Sequence, residues 1–439
     1  MYSKQASNLL APIGAEVGDR VRVVSRKQVY EGLLMPRIGT GDTGCLTIKL
    51  SNGYNIGIDS ASVSRIELVE KASKVKPMAK EREAAGTVGS SKNDIVILGC
   101  GGTIASKIEY KTGAVHPAMT TDELISSFPK LKGKSIRSRM LFSLLSEDMT
   151  PEHWQKVAEE TAAEIKKGCR GVVLMHGTDT MHFTSAALSF MLKTPVPVVL
   201  VGSQRSSDRG SSDSEMNLMC AVAAAESDIA EVMVCMHATE NDDVCHLHRG
   251  TRARKMHTSR RDAFQSINVK PLAQVWPDGK IEPLGKHVKR GERKLAVDTK
   301  ISTEVRLVYT YPGMPKGTIE GAAKKSKGIV IAGTGLGHVP TALIPEVKAL
   351  VDDGTPVVIA PQTIYGRLNL NVYDSGRKLN AAGAIGHLCD WTPETALVKL
   401  MFVLGHAKKT DEVKKMMLTD MAGEITERSE SGTEISRKD

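Results

Sequence analysis

Aromatic residues are scarce, with Phe, Trp and Tyr together making up 4% of the 439-residue chain. That scarcity argues against the ring platforms on which single-stranded nucleic acids stack. Long hydrophobic runs are missing too. The best stretch, Ala186 to Val201, is broken by Lys193 and by Pro195 and Pro197, short of the roughly 18 apolar residues a membrane helix needs. The N-terminus lacks the apolar core of a signal peptide. The seven cysteines show no CxxC pair and no framework spacing, which reads as reduced thiols in a cytoplasmic protein. No segment repeats. A formal net charge of +9 is modest for this length and reads as a basic, soluble surface, with a polyanionic partner such as RNA as the competing reading.

What is present is an ordinary 41% of hydrophobic residues and 39 glycines, enough for two or three domains with normal cores. Residues 1–70 read as a small all-β barrel. Val17 to Val24, Val29 to Met35, Leu46 to Leu50 and Tyr54 to Ile58 are strand candidates, Asn52-Gly53 marks a hairpin, and "GTGDTG" (39–44) is a turn cluster. Residues 71–92 are charged and small, a linker. From residue 93 strand-like runs recur (Ile95–Leu98, Gly171–Met175, Val196–Val201, Val232–Met236, Gly328–Ile331, Val357–Ile359) and alternate with helical stretches such as Pro151 to Lys167 and Phe183 to Leu192. This is the rhythm of a parallel α/β sheet. The turn-rich segment 276–294 places a boundary near 300, giving α/β domains over 93–295 and 300–425 and a charged tail over 426–439. "YDSGRKL" (373–379) reads as a turn between strands.

The segment "ILGCGGTIASK" (97–107) runs from a strand into glycines and then Thr103. A dinucleotide fingerprint would need a third glycine where Ile104 stands, and the phosphate-loop pattern is absent. The alternative is a loop that presents Thr103 at a strand end, where open α/β sheets bind ligands. A threonine hydroxyl needs a neighbouring base to become a nucleophile. A second strand end, "VVLMHGTDTMHFTSAAL" (172–188), brings His176, Thr178, Asp179 and Thr180, although Asp179 or Thr180 also suits a helix cap. Cys245, His246, His248 and His257 lie close in sequence, but one H-x-H without a partner motif is a weak metal signal, and no metal site is predicted.

"GGTIAS" (101–106) and "HGTDTM" (176–181) resemble the two signature segments of the L-asparaginase/glutaminase family. "LLSEDMTPEHW" (144–154) resembles that family's substrate-binding segment, and "TPETALVKLMFVLG" (392–405) its C-terminal helix. The resemblance covers residues 93–425 and implies an asparaginase-like two-domain parallel-sheet fold behind the small β-barrel. With the added barrel, the linker and the segment 248–268, the chain resembles the ammonia-donating subunits of archaeal tRNA-dependent amidotransferases rather than a free-standing asparaginase.

By that resemblance Thr103 is the nucleophile, and Thr178, Asp179 and Lys255 form a relay in which a lysine held near neutral by burial takes a proton from Thr178. Tyr110 matches the lid tyrosine that meets the nucleophile. Ser146, Glu147 and Asp179 match positions that hold the α-carboxylate and α-ammonium groups of L-glutamine or L-asparagine, with Glu147 standing where asparaginases commonly have Gln. A backbone N–H after Gly177 would serve the oxyanion. The resemblance further implies no cofactor in this chain, a partner E subunit that handles the tRNA with ATP and Mg²⁺, and a homodimer core within a heterotetramer. A free-standing asparaginase is the alternative; a non-catalytic RNA-binding protein is the third reading.

Overall fold

The computed structural model describes residues 3–26, 28–35, 44–50, 55–71, 94–102, 106–108, 115–117, 128–205 and 212–429. Thr103, Tyr110, the Asn52-Gly53 turn and most of the expected linker lie outside the described residues.

The N-terminal unit is a meander of β1 (Arg20–Ser25), β2 (Gln28–Leu34), β3 (Cys45–Leu50), β4 (Asn55–Asp59) and β5 (Val63–Glu70), all antiparallel in the order β4-β3-β2-β1-β5. Alternation along β1 sends Val21 and Val23 inward, where they meet Leu46, Ile48 and Ile58. No β4–β5 pairing among the described residues closes a barrel. This unit is not all-β either: a helix over Lys4–Leu10, capped by Ser3 accepting from the Ala6 amide, buries Ala6 and Leu10 in the same core. Its polar sequence shows no strand alternation and little helical period, so only packing fixes it.

The main sheet starts with β6 (Ile95–Gly101), β7 (Ile136–Leu144), β8 (Gly171–Met175), β9 (Val198–Val201) and β10 (Val232–His237), parallel in the order β7-β6-β8-β9-β10. Beyond β10 the direction reverses. Strand β11 (Cys245–Arg249) returns antiparallel, a short hairpin of β12 (Ala253–Lys255) and β13 (Phe264–Ser266) stands apart, and β14 (Ala273–Val275) and β15 (Ile281–Pro283) complete the edge. The parallel run of the expected sheet ends there because residues 238–244 are too few for a crossover helix and allow only a hairpin return. A second, three-stranded parallel sheet holds β16 (Val305–Tyr309), β17 (Gly328–Gly333) and β18 (Val357–Pro361).

Helix α1 (Pro151–Lys166) buries Trp154, Val157, Ala158, Thr161, Ala162 and Ile165, an i, i+3, i+4 stripe, and starts at Thr150, whose side chain forms a capping box with His153. Helices α2 (Met181–Met191) and α3 (Ser214–Glu226) cover opposite faces of the main sheet. Residues 373–379 form no turn: Asp374–Ala381 is helix α4, with Lys378 on Asp374 at 2.7 Å one turn apart and Leu379 buried. Seven residues rich in Asp, Ser and Gly read as a loop, but burial of Leu379 decides.

Helix α5 (Pro393–His406) packs on both α2 and β17, with Phe190 and Phe402 stacked at 6.0 Å, so the two α/β halves share one core. After α6 (Thr410–Leu418) the described chain folds back onto the body through Thr426. Thr426 bonds Asp390 Oδ2 at 2.6 Å, and Arg367 holds the Thr426 carbonyl at 2.7 Å. Among the described residues no helix is long and apolar enough to cross a membrane.

Candidate active site

The C-terminal ends of β6, β7 and β8 lie side by side, and three glycines let their loops touch. Gly101 and Gly102 have φ of +98° and +81°, a region other residues avoid. A Cβ on Gly102 would come within 2.5 Å of the Gly177 amide nitrogen, and one on Gly177 within 2.8 Å of Ser146 Cβ. Thr180 Oγ1 donates to the Ser146 carbonyl at 2.6 Å and ties the third loop in. Gly102→Ala is expected to cost about 1–3 kcal/mol of stability, read as a lower midpoint in denaturant unfolding; an unchanged midpoint would mean that these loops do not meet as described.

Lys255, at the end of β12, reaches this junction from the side. Its Nζ donates to Thr178 Oγ1 at 2.9 Å and to Asp179 Oδ1 at 2.6 Å. Thr178 is buried against Gly202, after β9, while the Asp179 side chain is 67% exposed. An ion pair with so exposed a member adds at most about 1 kcal/mol to stability, so its geometry has to be explained by something else. Neighbours Thr178 and Asp179 form one hydrogen-bonded chain with Lys255, which lies 77 and 76 residues further on. Ser146 is buried at the junction and Glu147 beside it is exposed. Thr103 and Tyr110 lie outside the described residues.

His176 belongs to the scaffold. Its Nδ1 meets the Gly177 carbonyl at 2.7 Å, which only accepts, so Nδ1 carries the proton and Nε2 accepts from Thr184 Oγ1 at 2.9 Å. Burial drives its pKa down to about 4, so it stays neutral and holds the loop. The cysteines and histidines weighed for metal are also occupied otherwise. Among the described residues no group of three or more metal-binding side chains converges; Cys245 is buried, His248 bonds Ser266 Oγ at 2.8 Å, and His257 Nδ1 accepts the Ser259 and Arg260 amides at 3.1 Å.

The basic stretch 249–261 is paired internally: Arg249 with Glu231, Arg252 with Asp390, Arg254 with Glu394, Lys255 with Asp179, Arg260 with Asp262 and Arg261 with Asp242. It offers no free cationic stripe to a polyanion. Behind the site, buried Asp213 accepts from Ser203 Oγ at 2.8 Å and from the Gln204 and Arg205 amides, fixing residues 203–205 after β9. Asp213 and the partners of Arg254 carry no local sequence signal; Thr180 was visible only as a hydroxyl in a hydroxyl-rich loop.

Three family models match the chain: the asparaginase N-terminal domain over residues 94–288, the glutaminase/asparaginase C-terminal domain over 304–417, and the GatD N-terminal domain over 15–69. Among curated proteins, the D subunit of the glutamyl-tRNA(Gln) amidotransferase of Pyrococcus furiosus is 53% identical over 94% of this chain and 95% of its own length. The protein of the same name from Methanothermobacter thermautotrophicus is 48% identical over 98% of both. Among solved structures, the thermostable L-asparaginase from Thermococcus kodakarensis superposes with a TM-score of 0.70 at 32% identity, covering 76% of this chain and 99% of that one. L-asparaginase I from Vibrio cholerae gives a TM-score of 0.65 at 30% identity, covering 76% of this chain and 100% of that one.

Proposed function

The chain belongs to the family of glutamyl-tRNA(Gln) amidotransferase D subunits, and on that premise we propose that its α/β body is the glutaminase that supplies ammonia for converting Glu-tRNA(Gln) to Gln-tRNA(Gln). The observation that carries this reading is the convergence of Lys255 on Thr178 and Asp179 at 2.9 and 2.6 Å, beside the junction of Gly102 and Gly177.

In this mechanism Thr103 Oγ attacks the side-chain amide carbon of L-glutamine. The Thr178–Lys255–Asp179 chain moves the proton, Asp179 orienting Lys255, and the amide nitrogen leaves as ammonia. Water then cleaves the glutamyl ester, releasing glutamate and restoring the hydroxyl. Ser146, Glu147 and Asp179 hold the α-carboxylate and α-ammonium groups, and Tyr110 closes over the nucleophile. The chain itself uses no cofactor. A partner E subunit takes up the ammonia and activates the tRNA-bound glutamate with ATP and Mg²⁺, and the chain forms the homodimer core of a heterotetramer in the cytoplasm.

The test is ammonia release from glutamine by the purified chain, alone and with its E subunit and Glu-tRNA. Strong stimulation is expected, together with loss of that stimulated output when residues 1–75 are deleted. Fast, unstimulated hydrolysis with asparagine as the better substrate, indifferent to that deletion, would favour the second reading, a free-standing L-asparaginase, which the similarity to solved asparaginases supports.

A further inference from the structure

Lys255 ends a three-residue strand that belongs to neither large sheet. Among the described residues strand β12 pairs only with β13, from Ala253–Ser266 to Lys255–Phe264. A two-stranded hairpin is marginal by itself, so its position has to be imposed from outside. Side chains alternate along a strand, and neighbours on β12 face opposite ways. Lys255 turns to Thr178 and Asp179. Arg254 turns to the C-terminal half and donates from Nε at 3.0 Å and Nη2 at 2.8 Å to Glu394 Oε1.

Glu394 lies in the first turn of α5, where the helix dipole favours a carboxylate. The next residue, Thr395, donates from Oγ1 to the Thr251 carbonyl at 2.9 Å. One helix turn therefore grips the hairpin at Arg254 and the chain just before it at Thr251. Burial opposes the charge on both members of the Arg254–Glu394 pair, yet their hydrogen bond and opposite charges, with Tyr309 beside Arg254 and His182 beside Glu394, leave the guanidinium pKa raised and the carboxyl pKa lowered. His182, within electrostatic reach of this pair and of Lys255, is pushed down to about 4 by burial and does not compete as a cation for Glu394. The nearby Arg252–Asp390 pair is buried throughout, its side chains 1% exposed, and also binds Gly423; it serves the fold as a whole.

We propose that Arg254 and Glu394 are positioning residues whose bond sets the hairpin against α5 and so the place where Lys255 Nζ meets Thr178 and Asp179. The inference rests on Lys255 acting in amide hydrolysis, but the position of Lys255 can be read without any turnover.

The experiment uses the full-length chain with Arg254→Ala, Glu394→Gln or Arg254→Lys. Competitive acetylation by acetic anhydride, read by mass spectrometry, compares Lys255 with the exposed Lys348; turnover of glutamine is measured with the E subunit and Glu-tRNA present. In the first two variants Lys255 is expected to acetylate faster relative to Lys348, with kcat down roughly 10²-fold and KM changed far less. Arg254→Lys should recover part of both. Should Arg254→Ala fail to fold, Glu394→Gln keeps the side-chain shape and carries the test alone. Wild-type acetylation of Lys255 in a folded Glu394→Gln chain would overturn the proposal, and so would faster acetylation with unchanged kcat. If the unmutated complex releases no ammonia, the functional reading falls, and the acetylation ratio still decides the positioning.

Discussion

Thr103→Val abolishes ammonia release, with an expected loss on the order of 10⁴-fold or more in kcat, as for other enzymes stripped of a covalent nucleophile. Valine keeps the branched shape of threonine and puts a methyl where the hydroxyl stood, so a melting temperature measured alongside separates loss of the attacking oxygen from loss of fold. The loss should be far greater than that from a binding residue, because no acyl-enzyme forms without that oxygen. Thr103→Ser, which keeps a hydroxyl, should retain measurable turnover. A Cβ on Gly102, the residue before Thr103 in the chain, would come within 2.5 Å of the Gly177 amide nitrogen, and Thr178 is the next residue after Gly177. A Thr103→Val chain that keeps more than about a tenth of its rate would move the nucleophile elsewhere, and Thr178, already bonded to Lys255, would be the next hydroxyl to replace.

Lys399→Met is the largest stability effect expected. The Lys399–Glu424 pair is fully buried, with both side chains 0% exposed and the charged atoms 2.6 Å apart. Lys399 also donates to the Met417 and Thr419 carbonyls at 2.6 and 2.7 Å, and Glu424 accepts the Met421 and Ala422 amides. This pair ties the segment after α6 to α5, and the same segment holds Arg252 through the Gly423 carbonyl. Removing the ammonium leaves a carboxylate buried without its partner, which typically costs about 3–5 kcal/mol. The double variant Lys399→Met/Glu424→Gln keeps an acceptor for the two amides, removes the orphan charge and should recover most of the loss in thermal unfolding.

Burial opposes the charge of Glu424, but Lys399 and the amide donors outweigh it, so its folded pKa lies below the ordinary carboxylate range. Its contribution is therefore present above the unfolded value and is lost as pH falls through the folded one. Wild type should lose the Glu424 share of its stability as pH falls through that folded value, and the double variant should not. A single variant as stable as wild type would show that the segment after α6 is not held by this pair.

Local sequence was enough for whatever depends on neighbours in the chain. The α1 stripe from Trp154 to Ile165, the apolar runs of β6, β8, β9, β10, β17 and β18, and the glycine-threonine loops at two strand ends all declare themselves through periodicity or turn chemistry. Resemblance added the numbers of the candidate site residues, and the structure brings Thr178, Asp179 and Lys255 into one hydrogen-bonded chain. What sequence misjudged were places where a distant contact overrides local preference. Asp374–Ala381 is helical because Leu379 is buried, β11 runs antiparallel because its connection is short, and Thr426 is anchored by Asp390 and Arg367. Nothing near Arg254 marks Glu394, 140 residues away, as its partner. In the sequence, the arginines and lysine of 249–261 show no partners; folded, each has a carboxylate. Which groups carry charge and hydroxyls is covalent chemistry, and sequence alone determines it. Only the tertiary structure decides which of them meet, because pairing across more than a hundred residues is set by how two sheets and their helices pack.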